Sequence, residues 1–227
     1  MMYTQHDPRY RRVRAGLCMG LIACFCGSAS ANAQVLKPSR ALLSWELKFS
    51  FSDPQRITLT LPGANQPATY WYMLYTVEND TDRDVPFYAT AELVTASLQV
   101  IKGGEQISPT VYDAIKARHK ITHPFMIDPS RVSGTLLQGE DNAKTSMVVF
   151  RQFNREDNAF SIYFSGLSGE IKQQPNPSFD ARQPESKKNP RTFTLRKTLE
   201  IKYDLPGDET TRRLAKPIRR ERGWVMR

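Results

Sequence analysis

The run from Thr69 to Thr90, TYWYMLYTVENDTDRDVPFYAT, limits the choice of fold more than any other stretch. Every residue from Tyr70 to Tyr75 is aromatic or apolar. After Asn79-Asp80-Thr81-Asp82, apolar character returns at Val85, Phe87 and Tyr88. Aromatic and β-branched side chains suit a pleated surface, while Asn, Asp and Thr clusters suit turns. The pattern predicts a long central strand covered on both faces, then a turn, then a partner strand over residues 85–98.

The flanking sequence repeats this grammar. From Leu42 to Ser52, Trp45, Leu47, Phe49 and Phe51 alternate with Glu46, Lys48 and Ser50, the mark of a half-buried strand. Asp53-Pro54 reads as a turn, and Ile57, Leu59 and Leu61 alternate with Thr58 and Thr60 in a second strand ended by Pro62-Gly63. Gln99 to Lys102 adds a short edge segment. Ser108-Pro109 starts a helix over about 109–120, with Val111 and Ile115 on its inner stripe. His123-Pro124 falls beyond its end. Further strands are expected near 132–137, 146–152, 160–167 and 193–205. Residues 172–190 carry Pro175, Pro177 and Pro184 and almost nothing apolar, so they read as an exposed, mobile loop. Seven or eight short strands with frequent turns and a single helix predict an all-β fold: an antiparallel Ig-like β-sandwich with one short inserted α-helix, spanning residues 34–210. At 227 residues the chain has room for such a domain.

The first 33 residues read as a signal peptide. Arg9, Arg11, Arg12 and Arg14 precede the apolar run Leu17 to Gly27, and Ala31-Asn32-Ala33 closes the segment with an A-x-A cleavage pattern. The apolar run is too short to span a bilayer, so no transmembrane segment is expected after processing. The expected location is periplasmic or extracellular. Leu21-Ile22-Ala23-Cys24 also fits a lipobox, which gives the alternative of a lipoprotein anchored through Cys24. Cys18, Cys24 and Cys26 are the chain's three cysteines, and all lie in this leader. Cleavage after Ala33 leaves a cysteine-free chain, which excludes a disulfide framework, a cysteine nucleophile and a thiolate metal site.

Charge is placed unevenly. Of the formal net +9, residues 34–210 contribute nothing, with 21 basic and 21 acidic residues, whereas 211–227 hold seven basic residues and one acid. The stretch RRLAKPIRRERGWVMR therefore reads as a basic C-terminal tail, with Arg212, Arg213, Lys216, Arg219, Arg220 and Arg222 as candidate anion contacts. Its attraction would be screened beyond about 8 Å at physiological ionic strength. Only Trp224 is placed to stack on bases and no RNA-binding motif is present, so sequence-specific nucleic-acid recognition is not expected. The apolar end, Trp224-Val225-Met226, is expected to dock on the domain.

Motifs with chemical meaning are weak. Asp80, Asp82 and Asp84 alternate as in a calcium loop, but Val85 and Ala91 stand where that loop needs Gly and Glu. His119 and His123 have chelating spacing without the HExxH glutamate, and Pro124, directly after them, breaks that geometry. Gly166-Leu167-Ser168-Gly169 lacks the G-x-S-x-G spacing of a hydrolase elbow. Glu140 and Asp141 have no assignable partner for glycoside hydrolysis. Asn79-Asp80-Thr81 is formally a glycosylation sequon. No catalytic residue, cofactor or metal is assigned.

Several stretches together, YWYMLYTVEND, LLQGEDNAK, GLSGE, LRKTLEIKYDLPGD and the terminal WVMR, resemble a family of secreted conserved hypothetical proteins of planctomycete-type bacteria. The likeness runs from about Trp45 to Arg227. The first stretch is also similar, more loosely, to Ig-like accessory domains of bacterial envelope proteins. The resemblance implies an exported bacterial β-rich protein and transfers no activity or site residue. The expected function is thus a non-catalytic module that binds or scaffolds cell-envelope components, through an anionic component or an envelope protein. The competing class is a secreted hydrolase of extracellular polymers working through carboxylates.

Overall fold

The computed structural model describes residues 36–212 and 214–227. The leader, its cleavage pattern and Cys24 lie outside the described residues, as does Arg213. Strands β1 (Lys48–Phe51) and β2 (Gln55–Leu59) lead into the long β3 (Ala68–Asn79). Then come β4 (Val85–Phe87), β5 (Thr90–Thr95) and β6 (Val100–Lys102), followed by helix α1 (Pro109–Arg118) and the single-turn α2 (Pro129–Val132). After these lie β7 (Gly134–Leu136), β8 (Gly139–Arg151), β9 (Ala159–Ser165), β10 (Ile171–Pro175), β11 (Thr192–Asp204) and β12 (Ile218–Met226). Strands take 46% of the described residues against 7% helix, so the fold is all-β with antiparallel sheets.

In the first sheet β3 is central. β8 lies along one edge, and β1 and β2 share the other. Phe51 stands opposite Tyr75 and Gln55 opposite Tyr72, so β1 and β2 run in line. The expectation that Asp53-Pro54 reverses the chain is corrected: the pair only interrupts one edge strand. Proline has no N–H for the ladder, which breaks locally. The Ser52 amide still reaches the Leu74 carbonyl at 2.9 Å.

The turn after β3 also departs from its expected course. The expected hairpin with residues 85–98 does not form; β4 pairs with β7, and β5 pairs with β6 and β9. Asn79 explains the departure. It is fully buried, its Nδ2 donates to the carbonyls of Arg83 and Leu136 at 2.8 Å each, and its Oδ1 accepts from the Thr81 amide and hydroxyl. With its side-chain hydrogen bonds satisfied by the turn and by Leu136 of β7, Asn79 steers the chain off the end of β3 into β4, which forms a two-stranded sheet with β7.

That second sheet runs β12-β11-β9-β5-β6, and β10 continues the line of β9 along β11. The two sheets share the larger core, where Trp71, Met73 and Tyr75 meet Phe160, Ile162, Phe164 and Ile201. The opposite face of β3 presents Tyr70, Tyr72 and Leu74 to Val111 and Ile115 of α1. β3 is therefore covered on both faces, as its unbroken apolar run requires. Close approach between the sheets depends on Gly103, where a methyl would collide with the Val148 side chain and the Ala91 carbonyl.

The segment expected as a mobile loop begins as β10, and its remainder is built around Asn189. The Asn189 Nδ2 donates to the Asp180 carbonyl at 2.9 Å and its Oδ1 accepts from the Asp180 amide at 2.9 Å. The expected basic tail is corrected more fully: Ile218–Met226 is the edge strand of the second sheet, with Trp224 opposite Leu199 and Arg222 opposite Ile201. Charged side chains are what an unpaired edge tolerates, and they mask the alternation that would otherwise identify a strand.

Candidate anion-binding site

The C-terminal basic residues do not gather into one patch, because neighbours on a strand point to opposite faces. Arg219 lies 3.6 Å from Asp53 and over the Phe51 ring at 5.3 Å, while Arg220 pairs with Asp204 at 3.0 Å. Arg222 lines a groove with Lys48, Glu46 and Trp224. Lys216 is exposed, and among the described residues neither it nor Arg222 is ion-paired. Arg212 has an internal role. Its Nη1 donates to the carbonyls of Arg155 and Glu156 at 3.0 Å each, and its Nη2 donates to the Gly207 carbonyl at 2.9 Å. Its Nε is buried without a partner.

Arg212 does, however, help to form a cleft that the sequence did not reveal. The cleft measures about 450 Å³ and is lined by Arg56, Arg155 and Arg212 together with Trp71, Thr58 and Asn154 among others. β2 and β3 set its floor: Arg56 is the cross-strand partner of Trp71, and Thr58 that of Thr69. The Arg56 guanidinium lies 4.4 Å from the Trp71 ring centroid. Its Nη2 donates to the carbonyls of Arg212 and Ala215, which ties the floor to the turn before β12. That turn is fixed in its own right by the Asp208 carboxylate, which accepts from the Thr211 amide at 2.8 Å.

The electrostatics of the cleft are lopsided. Burial pulls the Arg56 pKa below its ordinary value. Among the described residues no carboxylate pairs with Arg56. The acid in the wall, Asp157, is already engaged, accepting from the Ser97 amide at 2.8 Å and hydroxyl at 3.0 Å. A half-buried guanidinium without a counter-charge is an electrostatic cost that an incoming anion removes. Its Nη1 group, which the Arg212 and Ala215 carbonyls do not engage, can donate charge-assisted hydrogen bonds to carboxylate, sulfate or phosphate oxygens. From sequence Arg56, beside Ile57 and Thr58, reads as the solvent face of a strand. Alternation against Ile57 puts it on the same side as Trp71, and that was the available signal.

The weaker motifs are dispersed. Asp80 pairs with Lys48 at 2.9 Å, and the Asp84 carboxylate accepts from the Gln138 amide at 3.1 Å. His119 forms the C-cap of α1 with its Nε2 2.9 Å from the Tyr72 hydroxyl, whereas His123 Nδ1 meets the Thr122 hydroxyl. Among the described residues no cluster of three His, Cys, Asp or Glu side chains is arranged to hold a metal. Ser168 is buried between β9 and β10, where its hydroxyl accepts from the Glu170 amide at 3.2 Å. Glu140 and Asp141 are exposed at the start of β8. The Asn79 amide nitrogen is engaged in the core, so the sequon is closed to a glycan in the folded chain.

A second charged cluster is internal. Lys197 Nζ lies 2.6 Å from a Glu46 carboxylate oxygen and 3.7 Å from Glu170, with the Trp224 ring centroid 5.0 Å away. Burial works to raise the Glu170 pKa, but hydrogen bonds from Ser39 and the charges of Lys197 and Lys172 hold it below the ordinary value. This cluster clamps the segment before β1 onto β11.

No protein-family model, curated protein or solved structure matches the chain. Among the described residues no helix is long and apolar enough to cross a membrane.

Proposed function

We propose that this protein is an exported, non-catalytic module of a bacterial envelope, an Ig-like β-sandwich that holds an anionic surface component in the Arg56 cleft. The observation that carries the reading is the half-buried Arg56 guanidinium, which lines a cleft and has no paired carboxylate among the described residues. Export is proposed from the leader pattern over residues 1–33, and membership of the planctomycete-type secreted family from the stretches between Trp45 and Arg227. A volume of about 450 Å³ suits one acidic sugar unit or a similar small anionic group. The arginine-rich wall favours binding over hydrolysis, because the carboxylate in that wall, Asp157, is held by Ser97.

Calorimetric titration with polyuronate oligosaccharides, sulfated oligosaccharides and a neutral glucan tests the reading. Binding of an acidic series that weakens with salt, with no binding of the neutral glucan, is the expected result. Equal binding of neutral and acidic polymers, or none of either, would overturn it.

A further inference from the structure

Ile121 and Phe125 are the two most exposed large apolar side chains among the described residues, at 95% and 89%. Both sit on the turn that follows α1, and that turn is built rather than loose. The His119 amide donates to the Ile115 carbonyl at 3.1 Å, the His123 amide to the His119 carbonyl at 2.7 Å, and the Met126 amide to the His123 carbonyl at 3.3 Å. Its base is anchored on three sides. Met126 is buried with Val111 and Ile115, the Ile127 amide donates to the Thr145 carbonyl at 2.8 Å, and Arg118 Nη1 donates to the Arg56 carbonyl at 2.9 Å. A rigid base that holds two large apolar groups in water costs free energy unless something covers them.

The surrounding charge indicates what covers them. From Ala114 to Ile127 the chain carries Lys116, Arg118 and Lys120 and no acidic residue; Asp113 and Asp128 bound the stretch, and the Asp128 carboxylate is taken up by the Ser130 amide and hydroxyl. Two apolar side chains are too few for a stable protein–protein interface, which needs roughly 800 Å² from each partner. A pair of exposed apolar side chains in a stretch with a basic excess instead matches the boundary between anionic headgroups and acyl chains. We propose that the turn over residues 119–125 docks the protein peripherally on an anionic lipid surface. Ile121 and Phe125 enter the acyl boundary, and Lys116 and Lys120 meet the headgroups. The proposal does not depend on the Arg56 cleft.

Co-sedimentation of the purified protein with phosphatidylcholine vesicles, with and without phosphatidylglycerol, tests it. Binding to the phosphatidylglycerol vesicles, weakened by salt and absent on phosphatidylcholine alone, is expected. The double variant Ile121→Ser, Phe125→Ser should lose at least about tenfold in partitioning. Lys120→Gln should lose about fivefold and flatten the salt dependence. Both changes lie on exposed positions, so unchanged thermal melting serves as the folding control. Arg56→Gln retains the backbone carbonyl that holds Arg118 and should partition normally, which separates this proposal from the cleft reading. Equal partitioning of the double variant and the parent, equal binding to both vesicle types, or no vesicle binding by the parent would overturn the proposal.

Discussion

The Arg56 guanidinium stands 4.4 Å from the centre of the Trp71 ring, and the two residues are direct cross-strand partners on β2 and β3. A cation over an indole face is worth about 0.5–2 kcal/mol, which fixes the orientation of the guanidinium without neutralising it. The pairing holds Arg56 at the cleft while leaving its charge open to a ligand. The carbonyls of Arg212 and Ala215 add hydrogen bonds but no negative charge.

Lys197 and Glu170 are both nearly inaccessible, with side chains 7% and 4% exposed. Replacing Lys197 by Met leaves the buried Glu170 carboxylate to Lys172 and the Ser39 amide and takes the cation from Glu46, and should cost at most about 3 kcal/mol in urea unfolding. A loss below about 1 kcal/mol would show that the cluster contributes little to holding the segment before β1.

Acid should weaken the same cluster. The Glu170 carboxyl is held below its ordinary value in the folded chain, so its contribution is complete above the unfolded value of 4.5 and fades as pH falls through the folded one. The stability difference between the parent and Glu170→Gln should be constant near neutrality and shrink in acid. A difference that persists unchanged to low pH would contradict the assignment.

Deleting residues 218–227 should destabilise the whole second sheet rather than trim a tail. β12 pairs with β11 from Lys197 to Asp204, and Trp224 packs on the core. Thermal melting should drop markedly, and an unchanged midpoint would contradict the strand assignment.

The elements visible in the sequence were those with an unmixed signal. β3 could be read because its apolar run has no polar interruption, and α1 because Ser108-Pro109 marks its start. β12 was hidden because arginines occupy an edge strand where one face meets water. The turn at Asn79 looked like a hairpin because its residue types suit any turn, and only the buried bonds to Arg83 and Leu136 decide its direction. The cleft could not be read at all. It joins Arg56, Arg155 and Arg212, which are remote in sequence and are brought together by the two sheets.

Asn79→Ala removes two buried donations and two acceptances at the point where the chain changes sheets. The unpaired Leu136 carbonyl alone should cost about 1–3 kcal/mol, read from chemical denaturation. A neutral effect would mean that the crossing is set elsewhere.

Gly103→Ala should cost about 1–3 kcal/mol by overpacking, since the added methyl meets the Val148 side chain and the Ala91 carbonyl. The same substitution at Gly63, which has open space around it, tests backbone strain alone, because its φ is 78°.

The most direct test of the central claim is calorimetric titration of the parent and of Arg56→Gln with the same acidic oligosaccharide. Both proteins are first matched for thermal stability. The cleft account predicts that the parent binds and that the variant loses about tenfold or more in affinity, as expected for a charge-assisted hydrogen-bond pair removed from a partly buried site. Equal affinities of parent and variant would contradict it and would move the anion contact away from the cleft.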